Sequence, residues 1–234
     1  MKFQAQDVLE LPKFKTALEY RNRLTFGIGK LDSILDLHLE DMIGIFGETR
    51  YTNALVTRLI VRSLMPHKHG GFDGEKVIVI DLDNSSNLHL SVDFARYYGM
   101  DLNRVIENVL ISRQFKNYQL INAIHYELPK RVQIHKPKVI VISGLVDQFL
   151  QEPNIDIDEF ESLTIQIVTA LHKIKDVLII LTSRFGDNKM EFPALSRIIE
   201  IRAKKELDET KLNLSIYNNG RLKRISMMEA DITN

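Results

Sequence analysis

An apolar run, Met42-Ile43-Gly44-Ile45-Phe46, stops at Gly47 and gives way to a helical pattern carrying Leu55, Leu59, Ile60 and Leu64. A strand that turns at a glycine into an amphipathic helix is a unit of an α/β sheet. It is also the setting of a phosphate-binding Walker A loop, G-x-x-x-x-G-K-[ST], whose amides hold phosphate at a helix N-terminus. In Gly47-Glu48-Thr49-Arg50-Tyr51-Thr52-Asn53-Ala54 only the first glycine matches that pattern. Thr52 stands at the second glycine, Asn53 at the lysine, and Ala54 at the hydroxyl that holds Mg.

Further apolar runs follow at Val77-Ile78-Val79-Ile80, Val109-Leu110-Ile111, Val139-Ile140-Val141-Ile142 and Val177-Leu178-Ile179-Ile180-Leu181. They lack polar alternation, which suits strands buried on both faces of a parallel sheet. Helical spacing lies between them. Phe160, Leu163, Ile167, Leu171 and Ile174 share one face, as do Tyr118, Ile121, Ile124 and Leu128, where Pro129 is expected to kink or end the helix. Toward the C-terminus the pattern turns to alternation in Ile198–Arg202, Leu212–Ile216 and Leu222–Ile225. Asn218-Asn219-Gly220 between the last two predicts an antiparallel hairpin at the sheet edge. The expected fold is α/β, a mostly parallel sheet flanked by helices, with residues 1–25 as a linker or docking segment and 26–234 as one core domain.

Lysine plus arginine and aspartate plus glutamate both total 31, so no global basic field exists to hold nucleic acid and any contact must be a local patch. There is no cysteine, which excludes disulfides, thiolate catalysis and cysteine zinc sites. No apolar run approaches the roughly 18 residues of a membrane span. His67 and His69 are too few for a metal site, and Asp81-x-Asp83-Asn84 reads as a strand-end turn.

Several stretches in order resemble the RecA/RadA recombinase family, nearest its archaeal and eukaryotic RadA-type paralogues. Gly29-Lys30-Leu31-Asp32-Ser33-Ile34-Leu35 is similar to its G-x-x-x-L-D-x-L-L lead-in, and Ile45-Phe46-Gly47-Glu48 with Arg50 to I-F-G-E-x-R-T-G-K-T. Val79-Ile80-Asp81-Leu82-Asp83 is similar to Y-I-D-T-E, and Ala95–Met100 to A-x-R-Y-G-L. Val141-Ile142-Ser143-Gly144 falls on the Walker B I-V-D-S, and Thr182-Ser183-Arg184 on T-N-Q. The resemblance covers about residues 14 to 225 and implies a RecA-like core without the family's N-terminal helical DNA-binding domain.

The resemblance also places the losses. Ser143 replaces the Walker B aspartate, while Asp83 stands, one carbon shorter, at the catalytic glutamate. Losing a lysine charge about 4 Å from phosphate forfeits roughly 4 kcal/mol, about three orders of magnitude in affinity. The chain is therefore expected to be a pseudo-ATPase with no required cofactor. Its loop is either a plain strand–helix turn or a weak residual ATP site. Phe14-Lys15-Thr16-Ala17 resembles the family's F-x-x-A motif, in which Phe14 and Ala17 would dock on the sheet edge of a neighbouring recombinase protomer.

Of the family's two DNA loops, the first, near Gln148 to Glu159, is acidic here. The second, about Gly186 to Ala194, offers Arg184, Lys189 and Phe192. A second basic group is Arg202, Lys204, Lys205, Arg221, Lys223 and Arg224, whose alternative reading is a charge-protected sheet edge. The expected function is that of a non-catalytic RadA paralogue, an accessory or mediator in homologous recombination and DNA repair. It would act on a RadA-type recombinase or another RecA-family paralogue, with weak contact to single-stranded DNA and none to membrane. A KaiC-type nucleotide-sensing module and a self-assembling homo-oligomer are the alternatives. The cytoplasm, or the nucleus of a eukaryote, is the expected compartment.

Overall fold

The computed structural model describes residues 23–74, 76–113, 117–150, 157–184, 195, 197–206, 209–218 and 220–233. Its centre is an eight-stranded sheet. We number the strands β1 (Arg23–Leu24), β2 (Leu37–His38), β3 (Met42–Gly47), β4 (Val77–Asp81), β5 (Val109–Arg113), β6 (Val139–Ser143), β7 (Leu178–Ser183), β8 (Arg197–Glu206), β9 (Glu209–Asn218) and β10 (Arg221–Met228). The large sheet runs β10-β9-β8-β3-β7-β6-β4-β5, and β1 and β2 form a separate two-stranded ribbon. Pairing is parallel from β8 to β5 and antiparallel through β8, β9 and β10. The fold is the expected α/β one, with the C-terminal hairpin continuing the sheet.

The uninterrupted apolar runs become the inner strands because both of their faces are covered. Every residue of β4, β6 and β7 is buried. Helices α1 (Gly29–Asp32), α2 (Thr49–Ser63), α3 (Leu88–Tyr97) and α4 (Leu102–Asn108) lie on one side. Helices α5 (Asn117–Asn122), α6 (Leu128–His135), α7 (Leu145–Leu150) and α8 (Ile157–Leu171) lie on the other. A last short helix, α9 (Glu229–Thr233), packs on α2 and the hairpin. Leu55, Leu59 and Leu64 of the α2 region are fully buried, at about 2 kcal/mol of burial each.

Pro129 does not end its helix. Ala123–Glu127 form a π-helical turn that joins α5 directly to α6, with Pro129 in the first turn of α6. The wider turn removes the need for the amide that proline lacks, so the chain continues helically through it. Leu120, Ile124 and Leu128 stay in one buried row across the junction.

Two arginines of α2 sit inside the core, and no apolar periodicity could have announced them. Arg58 is 2% exposed. It lies over the Phe94 ring at 4.7 Å and donates to Tyr98 Oη and the Ile232 carbonyl, both at 3.0 Å. Arg62 donates to the Thr25 carbonyl at 2.6 Å and the His69 carbonyl at 2.7 Å, with its guanidinium 5.0 Å from the Tyr98 ring. Carbonyls, hydroxyls and ring faces receive most of their donors, leaving Arg58 Nε buried without a partner among the described residues. They tie α3, α9 and the β1 ribbon to the central helix.

Candidate functional site: a closed nucleotide end

The C-terminal ends of β3, β4, β6 and β7 meet the start of α2, where a nucleotide-binding α/β sheet keeps its ligand. Expected as a loop, residues 49 to 54 are helical, because α2 begins two residues after Gly47. The amides of Tyr51 and Thr52 donate to the Glu48 carbonyl at 3.0 and 3.1 Å. Amides that would face phosphate in an open loop are thus engaged in the first helical turn. Thr52, with no glycine freedom, is 4% exposed and its hydroxyl donates back to the Thr49 carbonyl at 3.2 Å.

The surviving glycine has a reason unrelated to phosphate. Gly47 has φ +148, and a Cβ there would lie 2.5 Å from the Ile201 carbonyl oxygen of β8. Close approach of the neighbouring strand is enough to require glycine. Asn53, at the lysine position, accepts from Thr57 Oγ1 at 3.3 Å. Ala54 is in the core. Tyr51 is buried toward β9 and α9, away from the sheet end. Burial, then the Glu229 and Glu48 carboxylates, raise its phenol above the usual tyrosine value. Arg50 pairs with Glu229.

Asp81, the last residue of β4, organises the neighbouring strand ends. It is fully buried. Its Oδ1 accepts from Ser143 Oγ at 3.1 Å and the Ser85 amide at 3.0 Å. Its Oδ2 accepts from Arg113 Nε at 2.8 Å and the Ser86 amide at 3.3 Å. Ser143, at the Walker B position, is therefore a donor to its neighbour. Asp83 caps the same turn, accepting from the Ser85 amide at 3.3 Å. It packs on Gly144, where a Cβ would meet its own at 2.6 Å. Sequence reading gave Asp83 a vestigial place and Asp81 a strand-end turn, without its bonds to Ser143 and Arg113. The signal available was Asp81 in register with Ser143 at the ends of two buried runs.

A small cavity of about 20 Å³ lies between α2 and the sheet, lined by Asn53, Val56, Ile60, Val79, Ser143 and Thr182 among others. That is room for about one water. Over the rim, Arg184 Nε donates to Thr49 Oγ1 at 2.9 Å, and its amide donates to Asp147 at 2.9 Å. Arg184 thus turns toward the start of α2. Among the described residues no group of three metal-binding side chains is assembled.

The other expected site residues divide. Phe14, Ala17, Lys189 and Phe192 lie outside the described residues, as do residues 151–156 of the first DNA loop. The second basic group is not one cluster. Alternation places Arg202, Lys204 and Arg224 on one face of the hairpin sheet, and Lys205, Arg221 and Lys223 on the parity of the apolar face.

The sheet's far edge was missed entirely. No strand pairs with the outer side of β5 among the described residues. Beside it a groove of about 540 Å³ is lined by Ile78, Ile80, Leu110, Ala123, Leu128 and His135. Tyr126 and Ile134, on the adjoining helical stretch, are exposed at 65% and 68%.

Against known proteins, the family model described as Rad51 matches residues 21–177. The chain belongs to the Rad51 family. Human and mouse meiotic recombination protein DMC1/LIM15 homolog are each 24% identical over 187 residues, covering 74% of this chain and 54% of theirs. The chain spans about half the length of these curated relatives. The Rad51-family core is thus present, with a nucleotide end whose polar groups are turned onto one another. No described helix is long and apolar enough to cross a membrane.

Proposed function

We propose that this Rad51-family chain works without hydrolysing ATP, as an accessory of a RadA-type recombinase in homologous recombination and DNA repair. The observation that carries the reading is the start of α2 at Thr49, which engages the Tyr51 and Thr52 amides. Phosphoryl transfer needs a phosphate cradle, a cation and a metal ligand together. Here the cradle is helix, the cation position is Asn53, and both metal positions, Ala54 and Ser143, lack the family's ligand.

A protein of this kind acts by whom it touches. The β5 edge and its apolar groove suit an added strand that carries an aromatic anchor. Phe14 and Ala17 supply the reciprocal contact, a donor segment for the edge of the recombinase. The chain thereby joins or caps a filament of true ATPases at either of two ends.

The test is capture of the chain by the RadA-type recombinase of the same organism, with Phe14→Glu alongside. Binding that falls at least about tenfold in the variant supports the reading. Failure of the unaltered chain to bind overturns it and favours the nucleotide-sensing alternative.

A further inference from the structure

The end of the sheet opposite the nucleotide end is basic. Two stretches of sequence without a carboxylate meet there. Residues 128–146 hold Lys130, Arg131, Lys136 and Lys138 and no Asp or Glu, and residues 162–175 hold Lys173 and Lys175 and no Asp or Glu. The first stretch contains the turn from α6 into β6, and the second leads through the turn from α8 into β7. β6 and β7 are parallel neighbours that start in register at Val139 and Leu178, so the two turns lie side by side. Hydrogen bonds fix their backbones. The Leu178 amide donates to the Lys138 carbonyl at 3.0 Å, the Lys138 amide to the Lys76 carbonyl at 3.1 Å, and the Lys136 amide to the Val132 carbonyl at 2.8 Å.

Carboxylates around the turns are engaged elsewhere. Asp41 pairs with Arg197, Glu127 with Lys130 and Asp73 with Arg104. Glu107 lies by Lys76, whose ammonium donates to the Glu107 carbonyl at 3.0 Å. Arg131, Lys136, Lys138, Lys173 and Lys175 have no ion pair among the described residues. Beside them stand Asp176 and Glu40, two acids against five cations. Cations at helix C-termini offset the helix dipole, which accounts for Lys136 and Lys173. It does not account for Lys138 and Lys175, which lie past the helices. Lys136 moreover has φ +46 at the end of α6, where glycine is the least strained residue. Lysine there adds charge at a cost in local stability.

Ile134, two residues earlier, is 68% exposed and shares a row of α6 with Lys130. An apolar side chain among unpaired ammonium groups matches an acidic peptide that carries an apolar residue of its own. It does not match nucleic acid. A phosphate backbone makes no use of Ile134. Four of the five cations are lysine, whereas bidentate phosphate recognition favours arginine. Residues 136–138 and 172–177 contain no Phe, Tyr or Trp to stack on a base, and turns offer no helix or ribbon to enter a duplex groove.

We infer that this end docks an acidic segment of a partner protein, with Lys136, Lys138, Lys173 and Lys175 on its carboxylates and Ile134 against its apolar side chain. The inference goes beyond the accessory reading and does not rest on it, since its assay contains neither recombinase nor nucleotide.

The experiment is an anisotropy titration of the full chain at low salt with a labelled peptide of about a dozen residues, Asp and Glu around a single Leu. Thermal melting verifies that each variant is folded. Lys136→Glu with Lys173→Glu is expected to weaken binding about tenfold or more. Lys211→Glu lies at the opposite end of the sheet, near the far end of β8, and should change binding by under about twofold. Ile134→Ala, which removes no charge, is expected to weaken binding about threefold or more. Lys136→Gly separates docking from stability, since the chain should melt higher and bind about twofold or more weaker. No binding by the unaltered chain overturns the inference, as does an equal loss in Lys211→Glu or an unchanged affinity in Ile134→Ala. So does a DNA duplex of equal charge that displaces the labelled peptide better than unlabelled peptide does, which would assign this end to nucleic acid.

Discussion

The nucleotide end of the sheet and its β5 edge differ in where their bonding capacity goes. At the first, Asp81, Ser143, Thr52, Asn53 and the Tyr51 and Thr52 amides of α2 bond within the chain. At the second, a strand has no partner on its outer side among the described residues, and an apolar groove lies alongside. An enzyme of this architecture would show the reverse, a strained and underbonded nucleotide end on a closed scaffold. On the proposed reading, a chain that does not hydrolyse ATP can keep a tightly bonded sheet end, its polar groups bonding within the fold and recognition falling to the edges.

The largest expected effect breaks the closed end. Asp81→Ala strands the Ser143 hydroxyl, two amides and Arg113 without their acceptor. A cost of about 3 kcal/mol is expected, read as a lower midpoint in denaturant at unchanged slope. Near-neutral behaviour would mean that the nucleotide end is not held by this carboxylate. At the open edge the signature should be opposite. Ala123→Trp fills the groove beside β5 and should weaken recombinase capture about tenfold or more while moving stability under about 1 kcal/mol. A comparable loss of stability would make the groove part of the core.

Restoring residues at the closed end should do less. Thr52→Gly, Asn53→Lys and Ala54→Thr together return the missing side chains but not the loop, because α2 has already begun at Thr49. Thermal shift with millimolar Mg-ATP should stay under about 1 °C for both the unaltered chain and the triple variant, corresponding to little stabilisation by ligand. Turnover regained by the triple variant would show the helical start to be a consequence of three side chains and not of the fold.

Much of this was legible in the sequence and some was not, for physical reasons. Continuous apolar runs gave the buried parallel strands, and Asn219-Gly220 gave the hairpin, because burial and turn chemistry are local. The family resemblance implied a mostly parallel RecA-like sheet but no strand order. The π turn at Ala123–Glu127 was hidden, since proline's usual consequence is to stop a helix and the accommodation depends on backbone around it. The degenerate loop was read as a loop because the motif supplies that expectation, while the actual residues, Thr49 to Ala54, contain neither glycine nor proline and continue the helix. The bonds of Asp81 and of the buried Arg58 escaped because their partners, Arg113, Ser143, Tyr98 and Ile232, converge only through the fold. The basic group split because one-dimensional clustering ignores strand parity.

The smallest expected effect compares two internal carboxylates. Asp81 has four donors, whereas half-buried Asp32 accepts mainly from the Phe26 amide at 2.6 Å. Burial therefore outweighs that bond and the nearby Arg62 charge, and raises the Asp32 carboxyl above its ordinary value of 3.8. A raised folded value means that the folded chain holds the proton more tightly than the unfolded chain. The resulting stabilisation is complete below about 3.8 and is lost as pH rises through the folded value. Asp32→Asn keeps an acceptor for Phe26 and has no charge to desolvate. At pH 7 its melting temperature should equal or exceed that of the unaltered chain by up to roughly 2 °C. Between pH 7 and 4 the advantage should shrink, because Asp32 regains its proton and the asparagine does not titrate. A variant that melts lower at neutral pH, with a deficit that disappears in acid, would show that the Arg62 attraction, not burial, governs this carboxylate.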